Sequence, residues 1–449
     1  SPRFRLREVY PQAVIEHDDG AVEETKMKTK EFVVLREMEL KKGDVLDWTK
    51  VRKSEKNLLN LGYFKREEGV FPARLKHGFE IEPIQGVTDE LDLKLKLEEI
   101  PTGLVTFGGG YSTSFGASIF GSVEERNLFG RGWRGNVSAS FGTQRQSYTV
   151  SFTEPHLFNT DYSLGVDLYR TYRAAFGGRE FDETRTGGLI RLGKEIYEDL
   201  RATFHYKYEH IKVGDIDRGD LRNTIRPEPY VEDTSTTSAV GLTLVHDTRD
   251  YIYNPSKGHR YAGMVEFAGL GGENEFWKLT AEGSWFTTLI EKLVWAYGLE
   301  LGLAQGYGST EILPLHERFF AGGATSVRGF EEAGLGPRGI YAVTRRDSSG
   351  MLYTNIDDVA IGGEFRVISQ NELRYSFTND IQGVIFLDSG AVWEDVEDFD
   401  LGDFRLSTGT GLRIALPIGA TIRVDFGFPL IEKEGDETQI FHFGFNQSF

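Results

Sequence analysis

The residue in this chain with the most demanding chemistry is Arg328. It lies in "GGATSVRGFEEAGLGPRG", which runs from Gly322 to Gly339 and holds six glycines among eighteen residues. Val327, Gly329 and Phe330 flank it. A guanidinium cannot shed its proton, so in a confined place it requires fixed acceptors in a fork geometry. Two later segments offer carboxylates. In "NELRYSF" (371–377) a period of two puts Glu372 and Arg374 on one face and Leu373 and Tyr375 on the other. In "GVIFLDSG" (383–390) it puts Phe386 and Asp388 opposite Ile385 and Leu387. Glu372 and Asp388 can bind Arg328 in bidentate fashion, with the glycines letting the backbone approach and Phe330 plugging a gap. Two roles are open to this set: a structural latch or a chemical site. The latch is favoured, and breaking a buried pair of that kind typically costs about 3–5 kcal/mol.

The familiar signatures of other chemistry are missing. The nine histidines are scattered, with no HxxxH or HExxH spacing, and neither GxSxG nor GxxxxGK[ST] occurs. The chain has no cysteine, which removes disulfides and thiolate ligands. No enzyme activity, metal or cofactor is expected. Net charge is −18; beyond residue 100 the chain carries 32 Lys and Arg against 48 Asp and Glu. That surplus of negative charge argues against nucleic acid as a partner.

The elements that must position Arg328 read as strands. From about Gly103 to the end, apolar and polar residues alternate, as in "VWAYGLELGLA" (294–304), "LRATFHYKYEH" (200–210) and "TIRVDFGF" (421–428). A soluble sandwich and a membrane barrel would both show this alternation. Length separates them: these segments run about nine to twelve residues, as tilted membrane strands do, whereas sandwich strands usually have about five or six. There are roughly sixteen such segments, an even number as in bacterial barrels. Aromatic residues near segment ends (Tyr111, Trp133, Trp285, Trp393, Phe449) suit interfacial girdles. Composition agrees, with 39% hydrophobic and 13% aromatic residues and 53 glycines. No apolar run is long enough for a membrane-spanning helix. If one strand ends at "GLELGLA" (298–304) and the next begins near Ala360, a loop of about fifty residues, 305–358, lies between them, and loops of that length are functional or disordered.

Residues 1–101 follow a different grammar. A strand within Phe4–Ile15 is followed by a helix in Thr29–Leu40. A second helix is capped by Asp47, has Trp48, Val51, Leu58 and Leu59 on one face, and is stopped by Gly62. Strands at "FEIEPI" (79–84) and "LDLKLKLEE" (91–99) complete a small α+β unit.

A closed barrel must also join its first strand to its last. The first, "LVTFGGGYS" (104–112), contains Thr106, Phe107, Gly108, Gly109, Gly110 and Tyr111. The last, "IFHFGFNQSF" (440–449), turns Phe441, Phe443, Phe445 and Phe449 outward and His442, Gly444, Asn446 and Ser448 inward. Three consecutive strand glycines weaken one side of this seam by roughly 2–3 kcal/mol. They either relieve crowding at a bend or mark a gate. Thr106 and Ser448 are taken as starting positions for finding the register across it.

Several stretches, taken in order, resemble the outer-membrane β-barrel assembly family of BamA and its relative TamA. "VRGF" (327–330) is similar to the family's infolded-loop signature; "NELRYSF" and "FLDSGAVW" (386–393) are similar to two signature strands. "RNLFGRGW" (126–133) and "SFTEPHLFNTDYSLGVDLY" (151–169) resemble its early barrel strands. "REMELKKGDVLDWTKVRKSEKNLLNLGYF" (36–64) resembles a POTRA domain, although "KREEGVFPARLKHG" (65–78) intervenes before the next strand. The resemblance implies an all-β transmembrane barrel of 16 antiparallel strands (102–449) behind one POTRA domain (1–101), the last of several in the family. It implies the same pairing of Arg328 and a gating seam. It further implies a location in the Gram-negative outer membrane with the POTRA domain in the periplasm. The function implied is insertion of barrel proteins, and the partners are unfolded outer-membrane proteins, membrane lipids and periplasmic lipoprotein subunits. The related alternatives are a TamA-like assembly factor and a two-partner-type secretion pore.

Overall fold

In a computed structural model of the chain, the described residues are 4–448 apart from 18, 68–69, 71–72, 85–86, 88–89, 180, 215–232, 253, 347–351 and 417–420. Contacts divide them into two units. One comprises residues 1–105, 123–136 and 152–161, and the other 106–122, 137–151 and 162–449.

The first unit contains a four-stranded sheet with two helices. Its elements are β1 (Arg5–Glu16), β2 (Val22–Thr25), α1 (Glu31–Arg36), α2 (Trp48–Leu61), β3 (Gly78–Pro83) and β4 (Glu90–Leu97), in sheet order β2-β1-β4-β3. β4 runs parallel to β1 and antiparallel to β3. Leu91, Leu93, Leu95 and Leu97 meet Val51, Leu58 and Leu59 of α2 in one core. The Asp47 carboxylate accepts from the Thr49 amide, and Gly62 ends α2 at φ +72°, a left-handed turn that glycine takes without strain. Two features depart from the sequence reading, and a third, left open there, takes a definite form. β2 is an added edge strand whose four residues are all exposed, so no alternation marks it. Trp48, at the first turn of α2, is 55% exposed rather than on the buried face. The 65–78 stretch doubles back on itself: Arg66 bridges to Leu75, the Glu67 amide donates to the Arg74 carbonyl, and the Lys76 amide donates to the Lys65 carbonyl.

The remaining strands follow in chain order. They are β5 (Gly103–Ser112), β6 (Gly116–Leu128), β7 (Trp133–Gly142), β8 (Arg145–Glu154), β9 (Tyr162–Arg173), β10 (Asp182–Tyr197), β11 (Leu200–Gly214) and β12 (Asp233–Asp247). Next come β13 (Gly258–Ala268), β14 (Phe276–Ile290), β15 (Leu293–Gly306), β16 (Gly329–Phe330), β17 (Arg338–Arg346) and β18 (Leu352–Ala360). The last are β19 (Phe365–Ser376), β20 (Ile381–Trp393), β21 (Arg405–Ala415), β22 (Thr421–Ile431), β23 (Thr438–Gln439) and β24 (Phe441–Ser448). Sixteen of these, β5–β15, β19–β22 and β24, close into a barrel. The loop between β15 and β19 therefore runs to residue 364. The strand expected near Ala360 begins instead at Phe365, because Leu352–Ala360 pairs with Arg338–Arg346 as a hairpin within the loop.

Burial follows the alternation. On β20, Ile385 and Leu387 are exposed while Phe386 and Asp388 are buried. An exposed apolar face around a closed sheet is what a lipid-facing wall requires. Trp393 departs from the expected girdle. It is 2% exposed, donates Nε1–H to Asp403 at 2.9 Å, and packs on Phe365, Phe399 and Phe404.

Ile385, 63% exposed near the middle of β20, tests the orientation. Ile385→Lys is expected to cost about 2–4 kcal/mol in a bilayer, read from denaturant titration of the barrel in lipid vesicles. A loss under about 0.5 kcal/mol, the range of ordinary surface substitutions, would place this face outside the hydrocarbon.

Candidate functional site: the loop latch and the seam

The wall positions the latch through its pleat. Glu372 and Arg374 project inward from β19, Asp388 from β20, Arg413 from β21, and Arg423 and Asp425 from β22. Arg328, on the loop, enters this set and is fully buried. Its Nε and Nη2 donate to the two Asp388 oxygens at 2.6 and 2.8 Å. Nη1 donates to Glu372 Oε1 at 2.6 Å, and the backbone amide donates to Asp388 Oδ2 at 3.2 Å. The guanidinium carbon sits 3.5 Å from the centre of the Phe386 ring, a cation–π contact on the remaining face.

The carboxylates are themselves held. Arg374 donates to Glu372 Oε2 at 2.7 Å. Asp425, 4.0 Å from Arg328, accepts from Arg413 and Arg423, both at 2.6 Å. Arg423 also donates to the Ala324 carbonyl of the loop at 3.0 Å. A low-dielectric site makes each of these bonds stronger and each missing partner costlier.

The apolar neighbours fix the loop's depth. Val327 and Phe330 pack with Ala321, Leu335, Ile368 and Val392. Two wall glycines make room. A Cβ on Gly390 would lie 2.7 Å from Val327 Cγ2, and one on Gly427 would lie 2.5 Å from the Gly329 nitrogen. Gly329 itself has φ +94°, which favours glycine.

The loop has a second anchor of opposite sign. Glu317 is a buried carboxylate whose Oε1 accepts from Arg185 of β10 at 2.9 Å and whose Oε2 accepts from Lys278 of β14 at 3.0 Å. Arg185 also donates to the His316 carbonyl at 2.6 Å. Sequence reasoning passed over Glu317, Arg185, Lys278, Asp425 and His442. Asp425 and His442 stood in inward positions of alternating strands without an assigned partner, while "LPLHERFF" around Glu317 has no period to read.

At the seam, β24 pairs antiparallel with β5 from Gly444–Ser112 through Phe445–Tyr111, Asn446–Gly110 and Gln447–Gly109 to Ser448–Gly108. The three glycines therefore lie within the register, and Ser448 faces Gly108, two residues from Thr106. Among the described residues five pairs join these strands, against six between β22 and β24 and fifteen between β10 and β11. Tyr111 and Phe443 meet across the seam with ring centres 6.2 Å apart. Phe441 is exposed and precedes the register; Phe107 precedes Gly108; Phe449 lies outside the described residues.

One group of possible metal ligands occurs among the described residues, well away in sequence from the latch: Glu16, His77 and Glu98, with ligand atoms within 4.8 Å of one another. Lys76 already pairs with Glu16 at 2.7 Å and Lys65 with Glu98 at 2.6 Å, so ammonium groups serve both carboxylates.

A sixteen-stranded closed barrel with a long loop latched to its inner wall, preceded by a small α+β domain, defines a class of outer-membrane-type barrels. The Omp85 superfamily domain matches residues 127–449, and a POTRA family described as a surface antigen variable number repeat matches 21–77. The chain belongs to the Omp85 superfamily. It is 30% identical to the outer membrane protein assembly factor BamA of Nitratidesulfovibrio vulgaris, over 95% of this chain and 50% of that protein. To the BamA of Neisseria meningitidis it is 26% identical, over 94% of this chain and 55% of that one. The chain thus spans about half the length of the curated relatives it matches. The crystal structure of Haemophilus ducreyi BamA lacking POTRA domains 1–3 superposes with a TM-score of 0.81 at 21% identity, covering 100% of this chain and 85% of that one.

Two outcomes follow from the latch. Arg328→Ala should destabilise the barrel by about 3–5 kcal/mol because it strands buried carboxylates. Arg328→Lys should recover only part of this, lacking the fork that spans Asp388; denaturant titration and protease cleavage within the loop read both. The second outcome concerns pH. The Glu331 amide donates to the Glu437 carbonyl at 2.9 Å, and a hydrogen bond that the protonated Glu331 carboxyl donates to the Glu437 side chain, with burial beside it, pushes the Glu331 carboxyl up from 4.5 to about 7. The fold therefore holds that proton where the unfolded chain has lost it. The contribution is full below about pH 4.5 and is lost as pH rises through about 7. Cleavage of the loop near 331 should quicken over that window, and Glu331→Gln should flatten the profile.

Proposed function

We propose that the chain is the membrane-inserting part of an outer-membrane assembly factor. It acts by offering a strand edge at the β5–β24 seam, not by enzyme chemistry. The observation that carries this reading is the seam itself. It has five pairs among the described residues, with three consecutive glycines on one side, where the β22–β24 joint has six and the β10–β11 joint fifteen. Opening a sheet edge to lipid is costly unless another strand pairs with it. An unfolded outer-membrane protein supplies such a strand, so the first substrate hairpin stabilises the opened seam and later strands add until a new barrel closes. The latch suits this work. It holds β19–β22 as one rigid arc, so the free energy of opening is concentrated at the glycine-bearing joint.

In this reading the protein resides in the bacterial outer membrane with its POTRA domain in the periplasm. That domain exposes a short edge strand, β2, on one side of its sheet and β3 on the other. Either edge suits capture of an extended substrate or of a lipoprotein partner by strand addition. The membrane lipids meet the outer wall, and no cofactor takes part.

The test is to close the seam covalently. Ser112→Cys with Gly444→Cys uses one registered pair in a chain free of other cysteines. Locking should abolish insertion of a barrel substrate into reconstituted vesicles, and reduction should restore it. A locked barrel that inserts as well as the reduced one overturns the seam mechanism and favours membrane thinning or polypeptide secretion.

A further inference from the structure

Between the latch and the seam runs a set of contacts that neither role requires. β16, the Gly329–Phe330 pair immediately after Arg328, forms a two-residue antiparallel ladder with β23: Gly329 faces Gln439 and Phe330 faces Thr438. The ladder continues at Glu331, whose amide donates to the Glu437 carbonyl at 2.9 Å. β23 is the run-in to β24, the last strand and one side of the seam. The link reaches into β24 as well: the Gly329 amide donates to His442 Nε2 at 3.0 Å, and both residues are buried. His442 stands opposite Asp425 of β22, which belongs to the latch network.

This arrangement is specific. The Gly329 amide faces a wall in which Gly427 leaves no room for a side chain, so no water-filled gap separates loop from wall there. A buried amide in that position needs an acceptor. β22 and β24 spend backbone groups on each other and β24 spends others on β5, while the Gly427 amide donates to the Ile440 carbonyl just before β24. His442 supplies the acceptor from a side chain, and can do so only with its proton on Nδ1. A cationic imidazole would present a donor to a donor.

We propose that His442 is a positioning residue that ties the last strand of the seam to the docked loop, so that undocking of the Val327–Glu331 segment and loosening of β24 are one coupled event. The claim rests on the seam reading above and deepens it: substrate strands that displace β24 from β5 act against the latch through His442, and the latch in turn sets how readily the seam yields. A merely local role for His442 would leave the two segments independent.

Hydrogen–deuterium exchange of the full chain in lipid nanodiscs, followed at residues 327–331 and 441–445, tests it. His442→Phe keeps the ring volume and removes the acceptor. It should quicken exchange in both segments together, roughly five- to a hundredfold, as expected for a buried amide left unsatisfied. His442→Gln, whose Oε1 can accept, should stay within about threefold of the parent. Exchange that rises in the loop alone, or in neither segment, overturns the coupling; a Gln variant as fast as Phe overturns the acceptor role. Should the Phe variant fail to fold, Arg328→Lys reads the same coupling from the loop side. It must then speed exchange at 441–445 as well as at 327–331, and an unchanged last strand refutes the proposal. The measurement uses no substrate, so a barrel that shows coupled exchange but inserts nothing would refute the assembly reading and leave this one standing.

Discussion

A guanidinium that cannot be neutralised, sealed inside a closed wall, is the constraint on which the rest depends. Burying a lone cation costs many kilocalories, and no change of pH in the physiological range relieves it. Once Arg328 occupies the lumen, the wall must offer Asp388 and Glu372 at bonding distance, and those carboxylates must in turn be matched by Arg374, with Asp425 held by Arg413 and Arg423. Those residues come from four consecutive barrel strands. The network therefore specifies a register across β19–β22 as well as the position of the loop. A one-residue slip of β20 would turn Asp388 toward lipid and Leu387 inward.

The loop meets the wall at two places of opposite polarity. At the Arg328 end a cation enters an anionic arc; at the Glu317 end an anion meets Arg185 and Lys278. Two such contacts define an orientation that neither alone would. Apolar packing of Val327 and Phe330 adds area but little direction, because hydrophobic contact is non-directional. Charge placement explains why a segment so rich in glycine holds one conformation: its entropy is removed by a few bonds of high strength rather than by many weak ones.

How much of this the sequence discloses depends on periodicity. Strand alternation carries a face assignment for every residue it covers, which is why the sixteen-stranded wall and the inward aspect of Glu372, Asp388 and Phe386 can be read directly. Partnership is another matter. His442 sits in a clean alternation, but its donor lies 113 residues earlier, in a stretch with no period at all. Glu317 and β2 are silent for the same reason, since neither belongs to an alternating run. Trp393 shows the converse error. An aromatic residue near a strand end suits a lipid interface, but here Asp403 offers its indole N–H an acceptor and three aromatic rings cover it, so it is buried under its neighbours instead. The loop hairpin β17–β18 misleads about length, because a strand pair inside a loop looks like the return of the wall.

The seam is legible as composition and illegible as energy. Three glycines forgo side-chain contacts on the β5 side, yet the register shows them paired with β24, so backbone bonds persist where packing is thin. The described seam has five such pairs, close to the six of β22–β24 and a third of the fifteen of β10–β11. The latch sharpens the contrast. Ion pairs join β19–β22 and the Gly329–His442 contact ties β24 to the loop; on the proposed reading this makes the β5 side the weaker partner. In the proposed mechanism, strain placed on the barrel falls first on the edge that another strand can complete.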